Sequence, residues 1–591
     1  MSGVTTPFPK TLSRLVGGFA RRHWTAYALS AVMLTGVALL TVWLPRQVGT
    51  LVDGLAAGEL AGEALLAELG LLVAAGIGIY GLRVAWRLRL YAASYRLGME
   101  LRTSLYRRLA AQGPAFFQVQ RTGDLMALAT NDVDAVELAA GEAMLAGFDG
   151  TLTLILVVAM MSLAIDARLA LVTLAPFPLM AVAFWIISNK IHAASRDSLT
   201  RFSKLNDFTQ ETLSGVRTVR ALGLETKTRS DFADLAEHAA EAGLAAQRWE
   251  AAYEPAVGIT LALAGTLILG MGGWLVWQGE LTVGALTAFS MYLVQLIWPM
   301  FAAGWVLSLL ERGRAAWGRL EPVLNTPLAV VDGGSATIAG AAPLRFDGVS
   351  MRYPGQSAPA LEDIGFTLAP GGTLGIVGAT GAGKSSIVRL VLRQFAHDAG
   401  GISWDGRPLA DYRLDSLRAA LRWVPQEAFL FSASIADNIA LGRPDATPAE
   451  IEQAARVAAI HDDILHFPQA YATPVGERGV TLSGGQRQRV AIARALIEDA
   501  PMLLLDDALS AVDTQTEAAI LHHLRERRRQ SAGGMIVISH RLSAVMEADE
   551  ILVLAHGRVV ERGAHDALLA LGGWYAAQWR YQQLEASLET A

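Results

Sequence analysis

Two stretches of this sequence hold side chains whose types and spacing suit phosphate chemistry. Gly378-Ala379-Thr380-Gly381-Ala382-Gly383-Lys384-Ser385-Ser386 interleaves glycines with small residues and ends in a lysine and two hydroxyls. Glycines let backbone N–H groups wrap a polyphosphate, and a helix starting near the lysine adds its positive N-terminal dipole. Lys384 would then meet the β- and γ-phosphates, and Ser385 would ligate Mg²⁺. Farther on, Met502-Leu503-Leu504-Leu505 runs straight into the paired carboxylates Asp506 and Asp507. Four apolar residues ending in charge read as a buried strand that delivers carboxylates to the crevice of an open parallel sheet. Asp506, at the end of that strand, is placed to hold the Mg²⁺ of the bound phosphates.

Certain elements must position these groups. Thr373–Val377 is a short β-type run leading into the glycines, and helical spacing continues after them through Arg393. This is the strand, loop and helix context that a phosphate-binding loop requires. Met535–Ile538 is another apolar strand, aimed at the same sheet edge, and His540 follows it. Strands alternating with helices over this region predict an α/β domain. The expected organisation is a transmembrane domain over 1–319, a linker rich in Gly, Ala and Pro over 320–342, a nucleotide-binding domain over 343–572 and a helical tail over 573–591.

With 591 residues, the chain is too long for one compact domain. Its hydrophobic content of 52% is concentrated in long uncharged runs before about residue 310. Four runs are long enough to cross a bilayer and carry no charge: Trp24–Pro45, Leu169–Asn189, Pro255–Gly279 and Leu281–Leu310. Two more spans are expected at about Leu60–Leu82, with Glu63 and Glu68 near its outer end, and at about Ala143–Ile165, which contains Asp149. Lys and Arg crowd the segment before the first span, the loops Arg83–Arg121 and Lys190–Arg248, and Arg312–Arg319. The positive-inside rule then places both termini in the cytoplasm. Those two loops are far longer than connection requires, and their mixed spacing predicts helices that continue into the cytoplasm, where something docks on them. Asp149 faces either a substrate path inside the bundle or hydrated space near the cytoplasmic interface. A net charge of −6 carries no nucleic-acid signal, and the absence of cysteine excludes disulfides, thiolate zinc sites and a cysteine nucleophile. The N-terminus has no signal-peptide pattern; Lys10, Arg14, Arg21 and Arg22 lead directly into a spanning run.

Many nucleotide-using families share such a loop. Leu482-Ser483-Gly484-Gly485-Gln486, followed by Arg487-Gln488-Arg489, narrows them, because here the sequence resembles the ABC transporter family, whose signature is LSGGQ. The family's other landmarks fall in order. Tyr353 stands where an aromatic stacks on adenine, and Gln426 lies in Val424-Pro425-Gln426, with an implied role toward metal and water. Glu477, in Gly476-Glu477-Arg478-Gly479, is the implied coupling residue, Ser510-Ala511-Val512-Asp513 forms the D-loop, and His540 sits in Ile538-Ser539-His540-Arg541 as a catalytic histidine. Phe116-Phe117 and the segments Thr122–Asp124, Asn131–Asp134 and Gln210–Arg217 resemble the intracellular loops through which six-span exporters couple to the nucleotide-binding domain. The resemblance spans essentially the whole chain. It implies an all-α six-helix transmembrane domain fused to an α/β P-loop nucleotide-binding domain, binding ATP and Mg²⁺. Two such domains would pair head to tail, each ATP lying between the P-loop of one chain and the signature of the other.

The sequence departs from the family pattern after Asp506, where a Glu that polarises attacking water is expected and Asp507 stands instead. One methylene fewer withdraws the carboxylate by roughly a bond length, and about 1 Å of misplacement can cost on the order of 10²-fold in rate. The combination of an intact signature and a shortened base resembles the degenerate half of a heterodimeric exporter in the bacterial inner membrane. Its non-identical partner would carry the Glu and a deviant signature. Leu505–Asp513 and the tail residues Gly573-Trp574-Tyr575 and Arg580–Glu585 resemble bacterial multidrug-resistance-like half-transporters of this kind. The alternatives are a homodimer in which Asp507 works as the base and a regulatory or gating subunit; six spans argue against a soluble ATPase acting on DNA or ribosomes. Apolar spans suit a lipophilic cargo, whether drug, lipid or hydrophobic peptide.

Overall fold

The computed structural model describes residues 7–476 and 482–589. The chain divides into two compact units, the first made of Met1–Arg108 and Leu125–Thr326, the second of Leu109–Asp124 and Pro327–Ala591.

Among the described residues of the first unit, six helices are long and apolar enough to cross a membrane: Trp24–Ala56, Glu63–Ala111, Thr122–Ile165, Ala167–Ser214, Glu225–Trp277 and Val283–Asn325. All six expected spans are therefore present, and every helix is longer than its apolar core. The first runs on through Pro45, and the second begins at Glu63, after Gly62 turns the chain at φ +60°. The third begins at Thr122 and includes π-helical turns at Leu128–Asp132, Ala139–Ala143 and Met160–Ile165. The two basic loops consist mainly of these helical extensions, linked by the short helices Pro114–Val119 and Val216–Ala221. Leu320–Asn325, in the stretch expected as linker, forms the end of the sixth helix.

Small residues let these helices approach closely. A Cβ on Gly284 would lie 1.9 Å from the Gly49 carbonyl oxygen, so the first and sixth helices meet backbone to backbone there. Asp53 fixes the crossing by accepting from Gly284 N at 2.7 Å and from the Thr282 hydroxyl at 2.6 Å. The Tyr292 hydroxyl donates to Val42 O at 2.6 Å, which satisfies a buried polar group without water. On the outer surface, Leu163 is 88% exposed and Trp277 84%, as side chains that meet lipid should be. Asp149 accepts a hydrogen bond from the indole of Trp298 on the sixth helix at 3.2 Å.

Among its described residues the second unit holds ten strands: β1 Leu344–Met351, β2 Leu361–Leu368, β3 Thr373–Gly378, β4 Ala399–Trp404, β5 Arg407–Pro408, β6 Leu421–Val424, β7 Met502–Asp506, β8 Gly534–Ile538, β9 Glu550–Ala555 and β10 Arg558–Gly563. One antiparallel sheet has the order β2-β1-β4-β5; the other has the order β10-β9-β3-β8-β7-β6, parallel except at the β9/β10 edge. The inner parallel strands β3, β8 and β7 are buried on both faces, which explains why β7 reads as a continuous apolar run rather than an alternating one. Alternate side chains still serve different cores. Leu503 and Leu505 pack with the helical signature subdomain, while Met502 and Leu504 pack with the phosphate-loop helix and the antiparallel sheet. Each fully buried Leu contributes roughly 1.5–3 kcal/mol. The register pairs Asp506 with Ile538 and Ile376 with Ile538, so the carboxyl ends of β3, β8 and β7 lie side by side.

Candidate nucleotide-binding site

The glycine loop leaves β3 with a backbone that a Cβ could not follow. Gly378, Gly381 and Gly383 have φ of +145°, +82° and +97°, and a Cβ on Gly383 would lie 2.5 Å from the Ala360 carbonyl oxygen. Gly383 starts the helix Lys384–Val391, two residues shorter than its sequence spacing suggests. Arg393 has already left helical geometry at φ +48°, and its guanidinium donates to Leu409 O and Tyr412 O.

Lys384 is 7% exposed, and its ammonium donates to Gly378 O at 2.9 Å and Ala379 O at 3.0 Å. Burial pulls its pKa below the ordinary lysine value, and the charges of Asp507 and Asp506 oppose that shift. The Ser385 hydroxyl donates to Asp506 Oδ1 at 2.8 Å. Burial holds the Asp506 carboxyl above the usual carboxylate range despite that hydrogen bond. A hydroxyl, a 5% exposed carboxylate and the nearby Gln426 amide form a hard oxygen donor set suited to Mg²⁺. A bound cation would also remove the electrostatic cost of the buried Asp506 charge.

Asp507 occupies the left-handed region at φ +50°, with its N–H donating to Ile538 O at 2.9 Å. Asp is several-fold enriched in this conformation over most non-glycine residues. Its Oδ2 accepts from Gln426 Nε2 at 3.3 Å. Tyr353 is tied to the phosphate-loop helix: its hydroxyl lies 2.9 Å from Ser386 Oγ and accepts from Arg389 Nη1 at 2.9 Å, while Phe395 meets its ring edge to face. A cleft of about 1090 Å³ brings together Tyr353, Thr380 to Ser386, Gln426, Asp506, Asp507 and His540. Residues separated by most of the domain's sequence thus converge where the three strand ends meet.

The signature residues do not line that cleft. Leu482 is buried, and Ser483 caps the helix Gly484–Leu496 in a capping box with Gln486, whose side-chain NH₂ also donates to Asp463 Oδ1 at 3.1 Å. Gly485 is required by close approach, since a Cβ there would lie 2.7 Å from Ala511 O. Ser510, Ala511 and Val512 follow Asp507 as a loop, and Asp513 caps the helix Thr514–Ser531 through Thr516 N at 2.9 Å. Glu477 lies outside the described residues.

Two positioning groups carry no sequence signal as strong as those motifs. Gln488, 5% exposed, accepts from Ala511 N at 2.9 Å and donates to Ser510 Oγ at 3.2 Å and Gln426 O at 3.4 Å. It joins the signature helix to the loop after Asp507 and to the loop carrying Gln426. Arg541 donates to Val512 O at 2.9 Å and pairs with the buried Glu517 at 2.6 Å, anchoring the same loop from the other side.

The sequence matches two family models, the ABC transporter transmembrane region over residues 25–300 and ABC transporter over residues 361–510. It is 44% identical over 574 residues to the multidrug resistance-like ATP-binding protein MdlA of Escherichia coli (strain K12), covering 97% of each chain. It is also 37% identical to the probable multidrug resistance ABC transporter ATP-binding/permease protein YheI of Bacillus subtilis (strain 168), over 96% of this chain and 97% of that one. Identity to the ATP-dependent lipid A-core flippase of Chromobacterium violaceum is 32%, over 95% of each. The fold matches a bacterial Atm1-family ABC exporter with ATP bound at a TM-score of 0.75 and 30% identity, over 95% of this chain and 98% of that one. The chain therefore belongs to the ABC transporter family, as a multi-pass, ATP-hydrolysing exporter chain that fuses a six-helix transmembrane region to its ATP-binding domain.

Proposed function

We propose that this chain is the degenerate-site half of a heterodimeric exporter that moves a lipophilic substrate outward across the bacterial inner membrane, with both termini and the nucleotide-binding domain in the cytoplasm. The observation that carries the proposal is Asp507, a shortened carboxylate in the cleft of a chain whose Leu482–Gln486 signature is intact. Its left-handed φ of +50° suits Asp, which supports reading Asp507 as a settled feature of this site.

In this reading, Tyr353 packs against the adenine. Gly378 to Ser386 wrap the phosphates, with Lys384 turning from its loop carbonyls to the β- and γ-oxygens. Ser385, Gln426 and Asp506 would hold Mg²⁺, which when bound neutralises phosphate charge. Asp507 would orient the attacking water from too far away, while His540 contacts the terminal phosphate. The signature of the partner closes over this site, and Leu482–Gln486, with Ser510–Asp513, closes over the partner's. ATP binding would draw the two domains together, Glu477 and the long helical extensions would carry the closure to the spans, and hydrolysis, mostly at the partner-supplied site, would reset them. Names such as multidrug resistance-like protein and lipid A-core flippase among the relatives support a drug, lipid or hydrophobic peptide as cargo. Asp149, held by Trp298, is a candidate on the substrate path.

The second reading is a homodimer in which Asp507 is the working base; its hydrogen bond to Gln426 and its place in the His540 cleft favour it. Vesicles containing the purified transporter, given hydrolysable or non-hydrolysable ATP, test the export function. Uphill accumulation that requires turnover is expected. Movement that only follows a gradient, without turnover, would mean a gate instead of a pump.

A further inference from the structure

The C-terminal helix Trp574–Glu589 reaches the loop that carries His540. Its first turns are fixed to the domain: Tyr575 is fully buried with its hydroxyl 2.8 Å from His565 Nδ1, its N–H donates to Glu561 Oε2 at 3.1 Å, and Trp579 packs against the same core. Residues 575, 579 and 582 share one helical face, so this anchoring also sets where Gln582 points. The Gln582 amide spans the backbone around Arg541. Nε2 donates to His540 O at 2.9 Å, and Oε1 accepts from Leu542 N at 2.9 Å. With one donor and one acceptor facing it, only one orientation of the amide satisfies both.

The rest of Ser539–Leu542 is already occupied. Arg541 N donates to Ser539 Oγ at 3.0 Å, the Arg541 side chain is committed to Val512 and Glu517, and Leu542 is fully buried. Of these four side chains, only that of His540 lines the cleft. Its direction depends on the peptide units that flank it, and Gln582 holds the one between His540 and Arg541 directly and the next one, between Arg541 and Leu542, as well.

We propose that Gln582 is a positioning residue for His540, which makes the C-terminal helix a working part of the nucleotide site. The proposal rests on the reading of His540 as a group that contacts the terminal phosphate. Breaking the clamp lets the loop carrying His540 rotate without altering the adenine or phosphate-loop contacts. Turnover should fall while apparent ATP affinity holds.

The test uses the assembled transporter of full-length chains, with Asp507→Glu in this chain and the partner's own carboxylate removed, so that turnover occurs at this chain's site. Gln582→Met keeps length and packing but loses both hydrogen bonds. Its kcat should fall about tenfold, with KM for ATP changed by less than about twofold. Gln582→Glu, which keeps the acceptor for Leu542 N but sets a carboxylate oxygen against the His540 carbonyl, should fall as well. In a His540→Ala background, Gln582→Met should cause no further loss, because the two residues act as one unit. Amide exchange at Leu542 should quicken in Gln582→Met and stay unchanged in His540→Ala. Unchanged kcat in Gln582→Met, when His540→Ala lowers it, overturns the clamp alone, as does an equal further loss on top of His540→Ala. Unchanged kcat in His540→Ala, with faster exchange at Leu542 in Gln582→Met, overturns the reading of His540 and the proposal with it.

Discussion

Asp507→Glu should raise hydrolysis at this chain's own site. The substitution extends the carboxylate by one methylene, roughly 1.5 Å of added reach. If about 1 Å of misplacement costs on the order of 10²-fold, the restored reach corresponds to about 2.7 kcal/mol of transition-state stabilisation. Two local terms oppose it. Asp507 is 9% exposed, so the longer side chain must displace the Gln426 amide that now donates to Oδ2. Glu is also less at home than Asp at φ +50°, a preference of several-fold that corresponds to about 1 kcal/mol. That strain is present before and during hydrolysis alike, so it lowers stability more than rate. The expected result is a rise in turnover of roughly 10- to 100-fold with a small fall in Tm. Phosphate release from the reconstituted transporter, with the partner's base disabled, measures the first; thermal unfolding measures the second. Unchanged turnover in a protein that still binds ATP would refute the idea that reach limits this site.

Other substitutions separate the remaining roles. Burial raises the Asp506 pKa, so the folded domain keeps a proton that the unfolded chain releases. The resulting destabilisation is absent below the carboxyl's unfolded pKa, grows as pH rises from there toward the folded value, and is complete above the folded value. Asp506→Asn should therefore raise the Tm of the nucleotide-free protein at pH 7 and flatten its pH dependence. It should also abolish the extra stabilisation that MgATP gives over ATP with chelator. Lys384→Ala removes charge-assisted contacts worth about 1.5–3 kcal/mol, so Kd for ATP at this site should rise about 10- to 100-fold in equilibrium binding. Gln488→Ala leaves Ala511 N and Ser510 Oγ without their buried partner. It should slow turnover at the site completed by this chain's signature while leaving ATP affinity at its own P-loop within about twofold; an equal loss at both would indicate general unfolding.

Much of the site could be read from the sequence because its determinants are local. The loop from Gly378 to Ser386 requires positive φ at Gly378, Gly381 and Gly383, and glycines at that spacing are visible in the sequence. The apolar run before Asp506 similarly announced a strand buried on both faces. The helical extensions beyond the membrane followed from the mixed spacing of the basic loops, but their bounds did not. The third helix starts at Thr122 because polar residues can continue a helix once out of the bilayer, and hydropathy alone marks only the part in lipid. What could not be read was tertiary. Gln488 and Gln582 are amides on helix faces that differ from solvated glutamines only in what the fold brings against them. The left-handed turn at Asp507 likewise goes with a backbone bond to Ile538 on a neighbouring strand.

The central claim, that this chain needs a different partner to hydrolyse ATP at speed, is tested most directly by the ATPase turnover of the full-length chain purified alone into lipid nanodiscs, compared with the same chain co-purified with a half-transporter carrying Glu after its metal-binding Asp. ATP binding with little turnover is expected alone, and a rise of on the order of 10²-fold in the mixed complex. Rapid turnover by the chain alone, abolished by Asp507→Asn, would contradict it and establish Asp507 as a working base.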